Sequence, residues 1–288
     1  MDSVPLNFID DTLACLHPRN LPEIQKIDGF WGHQSQCLLN ETDHLQLILN
    51  LSSLPLLHIY FHRNRSVQSV QLEDVLDQKH LNIFQLLIVN APGVHPGAIE
   101  VKNPRIVSHI LSRSNGLTFV LLSHWPKEAS VISEVLQAIP RIRQMIVNPR
   151  IECGSETIEN LIEKHIDLRC FDGLGFGNES VPDKFFPSVR MFLNAAEISE
   201  FEFAAEGKDA PFMEEIVAKL VENWRLEENR TKKIQVTASK SVLKILRPNL
   251  MEDEGKMWII DGERRMQIES VELVTQNQIV IGVKANKV

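Results

Sequence analysis

Leu87-Ile88-Val89-Asn90-Ala91-Pro92 and Met145-Ile146-Val147-Asn148-Pro149 end alike, each an apolar run halted by asparagine with proline close behind. Short apolar runs bounded by Asn and Pro read as strand ends, because both residues favour turns and proline cannot continue a ladder. Outward from these two points runs a slow rhythm of strand, helical stretch and strand. Its strand centres lie near Ile88, Val120, Ile146, Leu168, Glu202 and Gln235, at intervals of 32, 26, 22, 34 and 33 residues. Such intervals predict helix–strand units that stack on one another, each too small to bury its own apolar stripe.

The clearest unit lies near the end of this series. Asp209 and Pro211 mark a helix start, and Phe212, Ile216, Val217, Leu220, Val221 and Trp224 fall on one face of it. Lys233-Ile234-Gln235-Val236-Thr237 then reads as its strand. Before the series, Leu45 to Leu51 alternates as a strand does. Leu56 to His62 is expected to pair with it, and Val67 to Leu72 to add a third strand. After the series, Met257 to Ile260, Met266 to Val274 and Ile279 to Val283 predict a closing meander. Asp261-Gly262 is a good hairpin pair there, because both residues tolerate positive φ.

The chain of 288 residues is long enough for a full hydrophobic core. Its composition, 43% hydrophobic and 24% charged, is that of a globular protein rather than a disordered or collagen-like one. A net charge of −8 lacks the Lys/Arg excess that a general nucleic-acid binder needs, so no nucleic acid is expected as partner. The start shows no basic, then apolar, leader pattern, and no apolar run is long enough to span a bilayer. Cys15, Cys37, Cys153 and Cys170 have no C-x-x-C spacing, as expected of reduced thiols in the cytoplasm or nucleus. On that reading the sequons at Asn40, Asn50, Asn64, Asn178 and Asn229 are chance matches.

Little in the chain points to catalysis. His58 and His62 share a strand face without a third metal ligand, and no H-E-x-x-H occurs. Gly173-Leu174-Gly175-Phe176-Gly177 follows an apparent strand but has neither G-x-G-x-x-G spacing nor a following G-K-[ST], so a turn is expected there. No G-x-S-x-G elbow exists, and Cys170 near His165 sits at an apolar strand end with no identifiable base. The expectation is a non-enzyme with no metal or cofactor. Between Glu197 and Arg230 ten acids face four bases, either a solvated helix face or a surface that steers a basic protein.

The first forty residues carry the most specific pattern. Val4-Pro5 opens it, and Ile9, Leu13 and Leu16 form one helical stripe that ends near His17-Pro18. Asn20-Leu21 stands as a loop, and Ile24, Ile27 and Trp31 form the stripe of a second helix, weakened at its far end by Gly29 and Gly32. This segment resembles an F-box, whose pattern runs from Leu-Pro through two apolar helices to a tryptophan. It departs at Val4, in place of leucine, and at Ile27-Asp28-Gly29-Phe30, where basic residues usually precede the tryptophan. The Met-Asp-Ser-Val-Pro start and the helix–strand body resemble a nematode family of F-box-like and F-box-associated proteins.

The resemblance implies an α/β chain with an F-box-like helical module over residues 1–40. An irregular leucine-rich-repeat-like α/β body with C-terminal strands would fill 41–288. It implies a substrate-recognition adaptor of a cullin–RING (SCF-type) ubiquitin ligase. Pro5, Ile9, Leu13, Leu16, Leu21, Ile24, Ile27 and Trp31 would bind a Skp-type linker, and the body would bind a protein substrate. The alternative is a stand-alone protein-interaction scaffold whose degenerate F-box no longer binds the linker.

Overall fold

A computed structural model describes residues 4–16, 21–63, 70–93, 95–125, 130–151, 155–176, 181–194, 198, 200–204, 212, 215–216, 218–219, 233–239, 250–253, 256–261, 264–272 and 278–285. The protein is mixed α/β and divides into two compact units, residues 1–143 and 144–288. The expected boundary at 40/41 lies within the first unit, at the end of a helix.

The first unit begins with α1 (Leu6–Cys15), α2 (Leu21–Ile24) and α3 (Phe30–Glu41). The second expected helix is corrected here: it stops at Ile24, and a new one starts at Phe30. Gly29 causes the break, with φ +91° just before α3. Gly32 then lies so close beneath the turn that a Cβ there would sit 2.0 Å from the Ile27 carbonyl oxygen. Ile27 is therefore off the stripe.

A sheet follows. β1 (Asp43–Asn50) pairs antiparallel with β2 (Leu57–Arg63), as the alternation predicts. At the far end from their turn, Asp43 accepts a two-pronged ion pair from Arg63, at 2.9 and 2.5 Å. The expected third strand is corrected in its described part. Val70 and Gln71 are not strand, and Leu72 opens α4 (Leu72–Asp77), whose Leu72, Val75 and Leu76 recur at helical spacing. Val67 to Ser69 lie outside the described residues.

β3 (Leu81–Val89) runs parallel to β1, and β5 (Thr118–Leu122) parallel to β3. The short β4 (Ile99–Val101) caps β2, giving the order β5-β3-β1-β2-β4. α5 (Arg105–Ser112) and α6 (Ser130–Gln137) complete the unit. Polar pins hold the start of β3: the Ile83 N–H donates to Ser114 Oγ at 2.8 Å, and Thr118 Oγ donates to the Ile83 carbonyl at 2.9 Å. Burial lowers the pKa of His44, keeping its Nδ1 free to accept from Asn82 at 3.0 Å.

Burial falls on alternate residues along β1, β2, β5 and the second half of β3. Leu45, Leu47, Leu49, Ile59, Phe61, Leu86, Ile88, Val120 and Leu122 are fully enclosed on one face, together with Val107 and Ile110 of α5 and Val135 of α6. Their neighbours on the other face are all partly exposed.

The unit boundary falls on β6 (Ile142–Val147), which is followed by α7 (Ser155–Asp167), β7 (Gly173–Gly175), α8 (Phe186–Asn194), β8 (Glu200–Ala204) and β9 (Lys233–Ser239). These strands pair parallel, β6 to β7 to β8 to β9. A meander of β10 (Leu250–Asp253), β11 (Lys256–Asp261), β12 (Arg264–Glu272) and β13 (Gln278–Ala285) joins β9 antiparallel through β13. The hairpin glycine at 262 lies outside the described residues.

Two expectations fail in this unit. Leu168 is not a strand centre; it sits 53% exposed in the turn behind α7. Ile158, Leu161, Ile162 and His165 carry the helical stripe almost to that point, and Arg169 at φ +53° then closes the helix. The residues from Gly173 to Gly175 are no turn but a buried strand. Side chains from both neighbouring strands lie across the glycines: a Cβ on Gly173 would meet Gln144 Cγ at 2.5 Å, and one on Gly175 would meet Glu202 Cβ at 3.4 Å. Of the expected 209–224 helix, Phe212, Glu215, Ile216, Ala218 and Lys219 are described as helical, with Phe212 and Ile216 buried. The rest of that helix lies outside the described residues.

Candidate protein-interaction surfaces

The residues assigned to the F-box-like pattern part into two groups. Ile9 and Leu13 are 2% and 1% exposed and form a small core with Leu38 of α3. Leu16, Ile24 and Trp31 pack against that core, as do Val4 and Leu39. Pro5 and Ile27 lie outside it: Pro5 caps α1 in the open, and Ile27 is 49% exposed. The Leu21 side chain lies outside the described residues. The stripe therefore holds the module together, while its outside carries apolar side chains the pattern did not single out. Leu6 and Phe8 on α1 and Phe30 at the start of α3 are each more than half exposed. Their signal in the sequence was the apolar residue left off each stripe.

The second surface is the open sheet face of the first unit. The register sets its partly exposed side chains in rows across the strands. One row is Tyr60, Ile48, Leu87 and Leu121; a second is His62, Gln46, Gln85 and Phe119; a third is Glu100, His58, Asn50 and Val89. Gln46 donates to Gln85 across the second row at 2.8 Å.

A pocket of about 340 Å³ opens where the first and third rows meet the loop after β3, outside the carboxyl ends of β1 and β3. Ile48, Val89, Ala91, Pro92 and Ala98 give it apolar walls, and Asn50, His58, Tyr60 and His95 give it its polar atoms. Asn50 is already engaged. Its amide donates to the carbonyls of Ala91 and Gly93 at 3.0 and 3.3 Å, and its oxygen accepts from the N–H groups of Ser52 and Ala91 at 3.1 and 3.2 Å. His95 packs over Tyr60 with ring centroids 4.2 Å apart, and its Nδ1–H donates to the Pro96 carbonyl at 2.6 Å. His58 Nδ1 is buried and has no hydrogen-bond partner among the described residues. Sequence reasoning placed His58 and His62 on one face but missed the pocket, whose walls span residues 48 to 98.

The remaining candidates resolve locally. Among the described residues no three His, Cys, Asp or Glu side chains group as a metal site. Cys170 Sγ lies 3.7 Å from His165 Nδ1, but its thiol donates to the His165 carbonyl at 3.4 Å. Burial, helped by the Lys164 charge, pushes the His165 pKa down to about 4, so the ring is neutral and gives no counter-charge to a thiolate. Within the acidic stretch, Glu215 pairs with Arg190 at 2.8 and 2.9 Å, and that bond lowers its pKa. Arg190 also lies 4.8 Å above the Phe212 ring. Most of the stretch falls outside the described residues, and no helix among those described is long and apolar enough to cross a membrane. Compared with known proteins, the chain matches no family model, no curated sequence and no solved structure.

Proposed function

We propose that the chain is a non-enzymatic F-box-like adaptor of the cytoplasm or nucleus. In this reading α1–α3 dock on a Skp-type linker of a cullin–RING (SCF-type) ubiquitin ligase. The leucine-rich-repeat-like α/β body holds the protein to be modified. The observation that supports it most is the build of the N-terminal helices. They spend Ile9, Leu13 and Leu38 on a core of their own and leave Leu6, Phe8, Ile27 and Phe30 outside. Half-exposed large apolar residues gathered on one small helical module are the usual mark of a docking element.

The geometry also selects the variants for the test. Leu13 is enclosed, so a charge there would unfold the module and report nothing about docking. Ile27→Asp and Phe30→Asp alter exposed positions and leave the core intact. The purified chain should capture the Skp-type linker, and the double variant, still folded by circular dichroism, should lose at least ~90% of that capture.

A second reading, the stand-alone interaction scaffold, draws on the break at Ile27–Gly29, where the F-box pattern has a continuous last helix. No capture by a well-folded wild type would establish that reading and overturn the first.

A further inference from the structure

Around α3, Gly32, Ser35 and Leu38 are buried, and His33 and Cys37 fall together on the opposite, solvent side. Residues four apart on a helix are neighbours, and here the two side chains meet: Cys37 Sγ lies 3.8 Å from His33 Nε2. His33 is exposed and the free thiol of Cys37 is partly so, which leaves both within reach from outside. We infer that His33 and Cys37 form one half of a zinc site, completed by the same pair from a second copy of the chain. The resulting dimer covers the face of α3 that carries Phe30 and so competes with linker docking. The site and the dimer stand without the adaptor reading; only the effect on docking rests on it.

The spacing of the pair selects the metal class. Zinc binds a thiolate sulfur at about 2.3 Å and an imidazole nitrogen at about 2.0 Å, so at a tetrahedral angle the two ligand atoms stand about 3.5 Å apart. A small side-chain rotation closes the observed separation to that value. Magnesium and calcium take oxygen ligands instead, and the one carboxylate on α3, Glu41, is turned to His80 at 3.9 Å. His33 offers Nε2 with its proton held on Nδ1. The Cys37 thiol gives its proton to solvent as the Zn–S bond forms, so each zinc taken up by a dimer releases two protons.

Coordination number calls for the second copy. Two ligands leave zinc short of the four it takes in a structural site, and no third His, Cys, Asp or Glu among the described residues joins them. A second chain related by a two-fold axis through the metal supplies the missing pair and completes a Cys2His2 set, with the same patch used by both chains. Phe30 stands one turn before His33 on this side of the helix and is 58% exposed. A contact centred on His33 and Cys37 takes in Phe30 from both chains, and its burial adds an apolar gain to the metal bonds.

The test uses the full chain, with its thiols kept reduced by a phosphine. Sedimentation should show a monomer in EDTA and, once zinc is added, a dimer with one zinc per two chains. Cobalt in place of zinc should give a thiolate-to-metal band in the near ultraviolet and the strong visible bands of a tetrahedral site. Cys37→Ser and His33→Ala alter the solvent side of α3 and leave the core of the module intact. Cys37→Ser should remove the thiolate band. Each variant should weaken zinc-driven dimerisation by more than the ~100-fold that loss of an outer-shell partner costs.

A wild type that stays monomeric in zinc overturns the proposal, as does a monomer that holds one zinc by itself. A dimer already present in EDTA, or one that persists in Cys37→Ser, does the same. Zinc should lower linker capture by the wild type about fivefold or more and leave capture by Cys37→Ser unchanged. Equal capture by a chain shown to be dimeric overturns the claim that the dimer covers the docking face. A zinc dimer without linker capture under any condition sinks the adaptor reading and keeps the site; linker capture without a zinc dimer does the opposite.

Discussion

Acidification should destabilise the second unit through His165. Its ring is 0% exposed, on the face of α7 that buries Ile158, Leu161 and Ile162. Burial first, and the Lys164 charge second, push its pKa from 6.5 down to about 4. The fold thus favours the neutral ring, whereas the unfolded chain takes up a proton from pH 6.5 downward. The stability this difference supports is complete above pH 6.5, falls progressively between 6.5 and 4, and levels off below. A gap of about 2.5 units at about 1.4 kcal/mol each makes the full loss about 3 kcal/mol, of which about 2 kcal/mol is gone by pH 5. The assay is amide exchange in α7 at pH 7.5, 6.5, 5.5 and 4.5, corrected for intrinsic rates, on the wild type and on His165→Gln. The variant loses packing at every pH, so the readout is the difference in slope. The wild-type free energy of opening should fall steeply below pH 6.5, and that of the variant should follow a shallower line. Parallel profiles, or a His165 ring that titrates near 6.5 in the folded chain, would refute the reasoning.

Other substitutions probe backbone and packing. Gly32→Ala forces a Cβ onto the Ile27 carbonyl and should cost about 2–4 kcal/mol, read as loss of the α1–α3 module in limited proteolysis. Gly173→Ala should cost about 1–3 kcal/mol in denaturant unfolding and be largely rescued by Gln144→Ala, because the clash is with that side chain. Ser114→Ala removes the acceptor of the Ile83 N–H and should cost about 1–3 kcal/mol, seen as faster exchange of that amide. Arg169→Gly relieves a left-handed residue behind α7 and should raise stability by about 0.5 kcal/mol, a small rise in the melting temperature.

Periodicity in the sequence reached as far as side chains report it. The alternation from Leu45 to Leu51 and from Leu56 to His62 located β1 and β2, and the last three runs located β11 to β13 within a few residues. β7 escaped because glycines carry no hydrophobic signal: its strand character comes from Gln144 and Glu202 lying across it, which only the fold brings there. α4 escaped because its six residues are too few to separate a period of 3.6 from a period of 2, although Glu73 and Asp74 in its first turn are a helix signal. The Asn endings also proved unequal. Asn148 caps its turn by accepting the Arg150 N–H at 2.9 Å, and its counterpart in that role is Asn50, which accepts the Ser52 N–H at 3.1 Å. The paired Asn90 instead lies exposed.

The alternation within β1 carries a further consequence. Parallel strands covered on both faces read as continuous apolar runs, because both sets of side chains are buried. β1 pairs parallel with β3, yet its sequence alternates: Leu45, Leu47 and Leu49 are enclosed while Gln46, Ile48 and Asn50 are partly exposed. The β1 sequence is therefore that of a strand with one face less covered than the other. Solubility alone would favour charged residues on such a face, yet the row through Tyr60, Ile48, Leu87 and Leu121 is apolar across four strands. An apolar row on a face that water reaches is the physical ground for looking for a bound partner on the sheet rather than on its helices.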